Sequence, residues 1–181
     1  MVILVMGVTG AGKTTIGALL ADKLGWKFAD ADSFHPPANV QKMSHGVPLD
    51  YTDREPWLNV LSAAIAGWIS EKENVVLACS ALKRAYRRAM GAEASQGVRI
   101  VYLKGSYGLI FHRLLLRRGH FASESILVSQ FADLEEPQQT TPSGDMSSIV
   151  VDVAYSPLEI VAEILIRLNL GEAGRNALAS P

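Results

Sequence analysis

Val2-Ile3-Leu4-Val5-Met6 is an unbroken apolar run, and Gly7-Val8-Thr9-Gly10-Ala11-Gly12-Lys13-Thr14 follows it without a gap. The run reads as a buried strand. The second block satisfies the pattern glycine, four residues, glycine, lysine, then serine or threonine, and Lys13–Leu24 after it has a helix-forming composition. Strand, glycine-rich loop and helix in this order make a cradle for phosphate. The glycines let the chain wind tightly, so that successive N–H groups point inward, and the helix N-terminus adds its partial positive charge. Gly7, Val8, Thr9, Gly10, Ala11, Gly12, Lys13, Thr14 and the adjoining Thr15 are therefore expected to hold a nucleoside triphosphate. Lys13 can reach the β- and γ-phosphates, and the Thr14 hydroxyl can ligate Mg²⁺. A chance match in a chain of this length is on the order of one in two hundred before the flanking elements are counted.

Beyond the loop, short apolar runs keep alternating with helical stretches. Further strands are expected at Lys27–Ala31, Asn74–Cys79, Val98–Leu103 and Ser148–Val153. Between and after them, helices are expected at Arg54–Ile69, Leu82–Met90, Tyr107–Arg117, Ser123–Glu135 and from Leu158 onward. The Arg54 helix has Thr52-Asp53-Arg54-Glu55 at its start, a capping-box pattern. The last helix is marked by Ser156-Pro157-Leu158-Glu159, with an apolar face of Leu158, Val161, Leu165 and Leu168. Alternation of this kind predicts an α/β fold of three layers, a five-stranded parallel sheet between helices. Residues 1–170 read as one domain, and 171–181 as a fraying tail.

The composition narrows the function. The 181 residues are 49% hydrophobic and 19% charged, which is globular rather than disordered. Seventeen Lys plus Arg against eighteen Asp plus Glu leave a net charge of −1, so neither a nucleic-acid footprint nor a membrane-binding surface is expected. The single cysteine, Cys79, excludes an internal disulfide and a multi-cysteine metal cluster. The first apolar run is about six residues long, too short for a signal peptide or a membrane span, so a cytoplasmic protein is expected.

A guanine-specific Asn-Lys-x-Asp is absent, and Asp22–Gly25 lies at the end of the first helix, where it could not sense a γ-phosphate. A mechanical ATPase would end its third-strand run in an acid, whereas Val75–Cys79 leads into Ser80. An acid from elsewhere must complete the metal site. Asp30 and Asp32, at the carboxyl end of the second strand, face the ligand crevice of a doubly wound sheet. Of the two, Asp32 is the favoured catalytic acid, able to orient an acceptor hydroxyl, take its proton or hold metal-bound water.

At this point the chain resembles the gluconokinase family. Asp30-Ala31-Asp32-Ser33-Phe34-His35-Pro36, Asn39-Val40-x-Lys42-Met43, Gly46-x-Pro48-Leu49 and Asp53-Arg54-x-Pro56-Trp57-Leu58 are similar to its signature. So, further on, are Cys79-Ser80-Ala81-Leu82-Lys83-x-x-Tyr86-Arg87, Tyr102-Leu103-Lys104-Gly105, Arg113, Arg117-x-Gly119-His120-Phe121 and Ser129-Gln130-Phe131-x-x-Leu134-Glu135-x-Pro137. The departures are small: Ala31 stands where the family has glycine, Tyr51-Thr52 is less acidic, and Ala122 replaces an aromatic.

The resemblance implies transfer of the γ-phosphoryl group of ATP to the 6-hydroxyl of D-gluconate with Mg²⁺. It also implies a homodimer, a substrate segment at about 32–58 and a small helical lid at about 117–136. A polyhydroxy carboxylate needs a cation and several hydrogen-bonding groups. Arg54, with its bidentate fork, is the candidate for the carboxylate. His35, Asn39 and Lys42 share a face if His35–Met43 is helical, though each also reads as an exposed polar residue. Ser80 and Lys83 follow the third strand end, and His120 adjoins the lid arginines Arg113, Arg117 and Arg118. Arg113 and Arg117 are expected on the nucleotide, with Arg117 also acting on the migrating phosphoryl group. Cys79 reads as a buried thiol, and Trp57 and Trp68 as core. Shikimate kinase and the nucleoside monophosphate kinases are the alternatives within the class, and a regulator that binds ATP without catalysis is the alternative outside it.

Overall fold

The computed structural model describes residues 1–45, 47, 49–93, 97–116, 124–138 and 148–170. Five strands, β1 (Val2–Met6), β2 (Lys27–Asp30), β3 (Val75–Ala78), β4 (Val98–Lys104) and β5 (Ser148–Asp152), form one sheet in the order β2-β3-β1-β4-β5. Every pairing is parallel. The helices are α1 (Lys13–Leu24), α2 (Pro37–Ser44), α3 (Tyr51–Ser70), α4 (Arg84–Ala89), α5 (Tyr107–Leu116), α6 (Glu124–Asp133) and α7 (Pro157–Arg167), with a 3-10 turn at Ala31–Phe34. The expected three-layer α/β architecture is the one observed.

Strand alternation explains the layers. Ile3 and Val5 of β1 point to one face and join Ile16, Leu20, Ile110 and Ile164 from α1, α5 and α7. Val2, Leu4 and Met6 point to the other and join Trp57, Leu61 and Ile65 of α3. All five residues of β1 are buried on both sides, which is why the strand carries no polar residue. β1 also lies where the strand order reverses, since α1 leads outward to β2 while β4 and β5 lie on its other side. A crevice opens there, at the carboxyl ends of the strands.

Several local expectations are corrected. β2 stops at Asp30, because the Asp30 side chain accepts the Asp32 N–H (3.1 Å) and starts the 3-10 turn. The α3 capping box is formed by Asp50 and Asp53 instead of Thr52 and Glu55. The Asp50 side chain accepts the Asp53 N–H (2.8 Å), and the Asp53 carboxylate accepts the Asp50 N–H (3.1 Å). Thr52 donates to Asp50 within this cap. Lys83 is the N-cap of α4, so Leu82 precedes the helix. At α7 the Ser156, Pro157 and Glu159 start is present, but Leu158 is 64% exposed and Ile160, Val161 and Ile164 make the buried face. Trp57 is buried and Trp68 packs against the same core.

Candidate active site

The turn after β1 depends on left-handed backbone at two glycines. Gly10 has φ 79°, and a Cβ there would lie 3.0 Å from the Leu114 side chain, while Gly12 has φ 96° and is the N-cap of α1. Lys13 Nζ donates to Val8 O (3.1 Å), which places its ammonium over the loop. The Thr14 hydroxyl donates to Asp30 Oδ2 (3.0 Å). A cavity of about 110 Å³ opens between loop and strand ends, lined among others by Lys13, Thr14, Asp30, Asp32, Cys79 and Ser80. Both acids singled out in the sequence therefore meet the phosphate loop in one cavity. Asp30, not Asp32, touches Thr14, and it also accepts the Asp32 N–H, so it joins the Thr14 hydroxyl to the exposed Asp32.

Hard oxygen donors of this kind suit Mg²⁺, which takes one or two carboxylates and leaves its remaining positions to water and substrate phosphates. Cys79 lines the same cavity, but burial pushes its thiol up to about 12. It is therefore protonated at neutral pH and unsuited to nucleophilic attack.

Beside this cavity stand the 3-10 turn, α2 and α3. Trp57 Nε1 donates to Ala31 O (2.8 Å), and the His35 ring stacks on Trp57 at 4.4 Å between centroids with 9° between planes. Desolvation lowers the His35 pKa first, while Asp32 raises it and Arg54 lowers it, so His35 senses both the acid and the arginine. α2 begins at Pro37, leaving His35 outside the helix. Asn39, expected at the surface or on a binding face, is 4% exposed and donates to Asp53 O (2.7 Å), with His35 Nδ1 at 3.4 Å. Lys42 is bound to Asp53 Oδ1 (2.6 Å), and that hydrogen bond raises its pKa. Arg54 Nη1 donates to the Tyr86 hydroxyl (3.1 Å), and no carboxylate among the described residues pairs with it. Lys83 forms a salt bridge with Asp133 of α6 (3.0 Å), so its ammonium is already engaged.

Two features escaped the sequence reading. The first is a cavity of about 190 Å³ on the other side of the loop, where Gly12 and Thr15 face Arg113, Tyr155, Pro157 and Ile160. Arg113 donates to Val153 O from there, which places it beside the loop. Tyr155 lies in the turn before α7 and Pro157 is the first residue of that helix, a stretch that carries no motif beyond its cap. The second is Gln130 of α6, whose carboxamide oxygen accepts the Thr9 N–H at 2.6 Å. The sequence contained Gln130 within Ser129-Gln130-Phe131 but gave it no task. The segment after α6 is tied down as well: Glu135 accepts the Arg84 N–H (2.6 Å), and its own N–H donates to Leu82 O (3.0 Å). Arg117, Arg118 and His120 lie outside the described residues.

A phosphate loop, an acid at the second strand end and a cluster of polar side chains beside them define a small phosphotransferase of the P-loop class. Residues 9–169 match the family described as shikimate kinase. The chain is 44% identical over 180 residues to the probable gluconokinase of Mus musculus, covering 91% of this chain and 95% of that one. It is 41% identical over 165 residues to the gluconokinase of Gluconobacter oxydans (strain 621H), covering 91% and 89%. The crystal structure of a gluconokinase from Sinorhizobium meliloti 1021 superposes with a TM-score of 0.77 at 40% identity, over 97% of this chain and 94% of that one. The chain belongs to the gluconokinase family, within the broader set of shikimate kinase-like enzymes.

Proposed function

We propose that this protein transfers the γ-phosphoryl group of ATP to the 6-hydroxyl of D-gluconate, releasing 6-phospho-D-gluconate and ADP. The observation that carries the reading is the shared cavity in which Asp32 faces Lys13 and Thr14. Asp32 takes the proton of the attacking hydroxyl as the oxygen–phosphorus bond forms. The loop N–H groups and Lys13 hold the phosphates against the N-terminus of α1. Thr14 and Asp30, with Asp32 through water, are the residues that would hold Mg²⁺, which when bound neutralises charge on the β- and γ-oxygens. Arg54 binds the acceptor carboxylate, and His35, whose pKa is lowered by burial, serves the hydroxyls. Ser80 adds a hydroxyl from the β3 end, and Lys42 borders the acceptor side through Asp53. Lys83 takes part when Asp133 releases it.

The larger cavity, with Arg113, Tyr155 and Pro157, suits the nucleoside, since a mixed lining next to the loop, with the Tyr155 ring, Pro157 and Ile160 beside Arg113 and Thr15, matches a base and ribose. In the same reading 32–58 is the substrate segment and 117–136 the lid. Arg117 acts on the transferring group and His120 contacts the acceptor. The enzyme is a cytoplasmic homodimer that needs no nucleic acid or membrane partner. Among the described residues no helix is long and apolar enough to cross a membrane.

The test is ADP release from Mg-ATP with D-gluconate, its epimers, shikimate, glycerate, AMP and water as acceptors. Selective turnover with D-gluconate supports the proposal. Selective turnover with another acceptor rejects the pocket assignment, and none with any acceptor, despite ATP binding, points to the regulator.

A further inference from the structure

Tyr86 of α4 belongs to none of the roles given above, yet it touches the residue on which acceptor recognition depends. Its hydroxyl accepts a hydrogen bond from Arg54 Nη1 (3.1 Å), and the Arg54 guanidinium carbon lies 5.5 Å from its ring centroid. Lys83 Nζ lies 6.0 Å from the same centroid. One aromatic ring thus adjoins two cations from different elements, Arg54 in the first turn of α3 and Lys83 at the N-cap of α4. The ring is held by the core on the α3 side of the sheet, where Tyr86, partly buried, packs against the cluster that contains Trp57 and Leu61.

We propose that Tyr86 is the positioning residue that sets acceptor specificity, holding the Arg54 guanidinium edge-on to an acceptor carboxylate. This rests on the reading of Arg54 as the carboxylate-binding group. Guanidinium has five N–H donors in a rigid plane. With one donor bound by the Tyr86 oxygen and no described carboxylate pairing with Arg54, the remaining edge is left for an anion. An arginine tied instead to a carboxylate would have its charge neutralised. A phenol oxygen fixes its direction and leaves the charge in place. Because that oxygen accepts from Arg54, its own proton is free to donate as well.

The experiment compares Tyr86→Phe with wild type in steady-state kinetics, varying D-gluconate and ATP separately. The phenylalanine keeps the ring under Arg54 and removes only the hydroxyl. The Michaelis constant for D-gluconate is expected to rise about 10–100-fold, as befits a lost hydrogen bond to a charged group. Both kcat and the constant for ATP should stay within about twofold. A D-gluconate constant within twofold of wild type overturns the inference. So does a parallel rise for both substrates, which would signal a loosened fold. Tyr86→Leu, which also removes the ring, should raise the D-gluconate constant further, and an effect smaller than that of Tyr86→Phe overturns it too. Arg54→Ala separates the two levels. If it leaves the D-gluconate constant unchanged, the acceptor reading fails. If it raises that constant while Tyr86→Phe does not, only the role of Tyr86 fails.

Discussion

Arg87→Met tests how the turn after β3 is held. Arg87 is 1% exposed, its Nε donates to Glu93 Oε1 (3.1 Å), and its Nη1 donates to Ala81 O and Leu82 O, each at 3.0 Å. Those two carbonyls belong to the turn that joins Ser80 to Lys83, where Ala81 adopts left-handed backbone at φ 45°. Methionine keeps much of the volume and supplies no donor. The consequences differ from group to group. Leu82 O keeps the Glu135 N–H at 3.0 Å. Glu93 keeps Arg84 at 3.0 Å and Arg88 at 3.5 Å. Ala81 O loses its hydrogen bond from Arg87, and a buried carbonyl left bare costs about 1–3 kcal/mol. Removing the buried arm of the ion network adds to this, for a total of about 2–4 kcal/mol. At about 2–4 °C per kcal/mol for a chain of this size, the unfolding midpoint should fall by about 4–16 °C. Calorimetric or circular-dichroism melting at neutral pH reads this directly. Arg84→Met is the control, because its half-exposed pair with Glu93 should be worth about 0–1 kcal/mol. A shift below about 2 °C for Arg87→Met, or a larger one for Arg84→Met, would refute the reasoning.

The two acids of the cavity should separate in function. Asp32→Asn is expected to lower kcat by about 10²–10⁴ while ATP still binds, and near-normal turnover would reject Asp32 as the base. Asp30→Asn should instead raise the Mg²⁺ concentration needed for half-maximal rate, because Asp30 is the carboxylate on Thr14. An unchanged Mg²⁺ requirement would remove it from the metal site. Cys79, with its thiol pushed up to about 12, should resist iodoacetamide at pH 8 in the folded enzyme and react when unfolded, read by mass spectrometry. The ordinary thiol value is 9.0, and the folded value is higher. Cys79 therefore contributes stability that is fully present below pH 9 and lost as pH rises toward about 12.

The parts of the site that could be read in the sequence are those whose chemistry is local. Gly7 to Thr14 form a loop because glycines permit its dihedrals and the adjoining strand and helix aim its N–H groups, all within eight residues. Ser156, Pro157 and Glu159 likewise contain a complete helix start. Where two local solutions compete, the sequence alone was insufficient. Asp50 and Thr52 are both good N-caps, and the reciprocal bond with Asp53 selects Asp50. Leu158 has the right spacing for an apolar face, but spacing does not say which side of α7 docks on the sheet.

Contacts distant in sequence lay beyond local reading altogether. Thr9 meets Gln130 across 121 positions, and Arg54 meets Tyr86 across 32. Asp30 rather than Asp32 reaches Thr14 because β2 ends one residue early and turns into the 3-10 helix. The sequence by itself determined the phosphate loop, the alternation of strands and helices and the acidic and basic residues available for catalysis, since each follows from dihedral preference, periodicity and charge within a short window. Only the tertiary structure decided which of those charges face one another. That choice depends on the sheet order, set by burying β1 on both faces, and it brings the ends of β1, β2 and β3 to a single crevice.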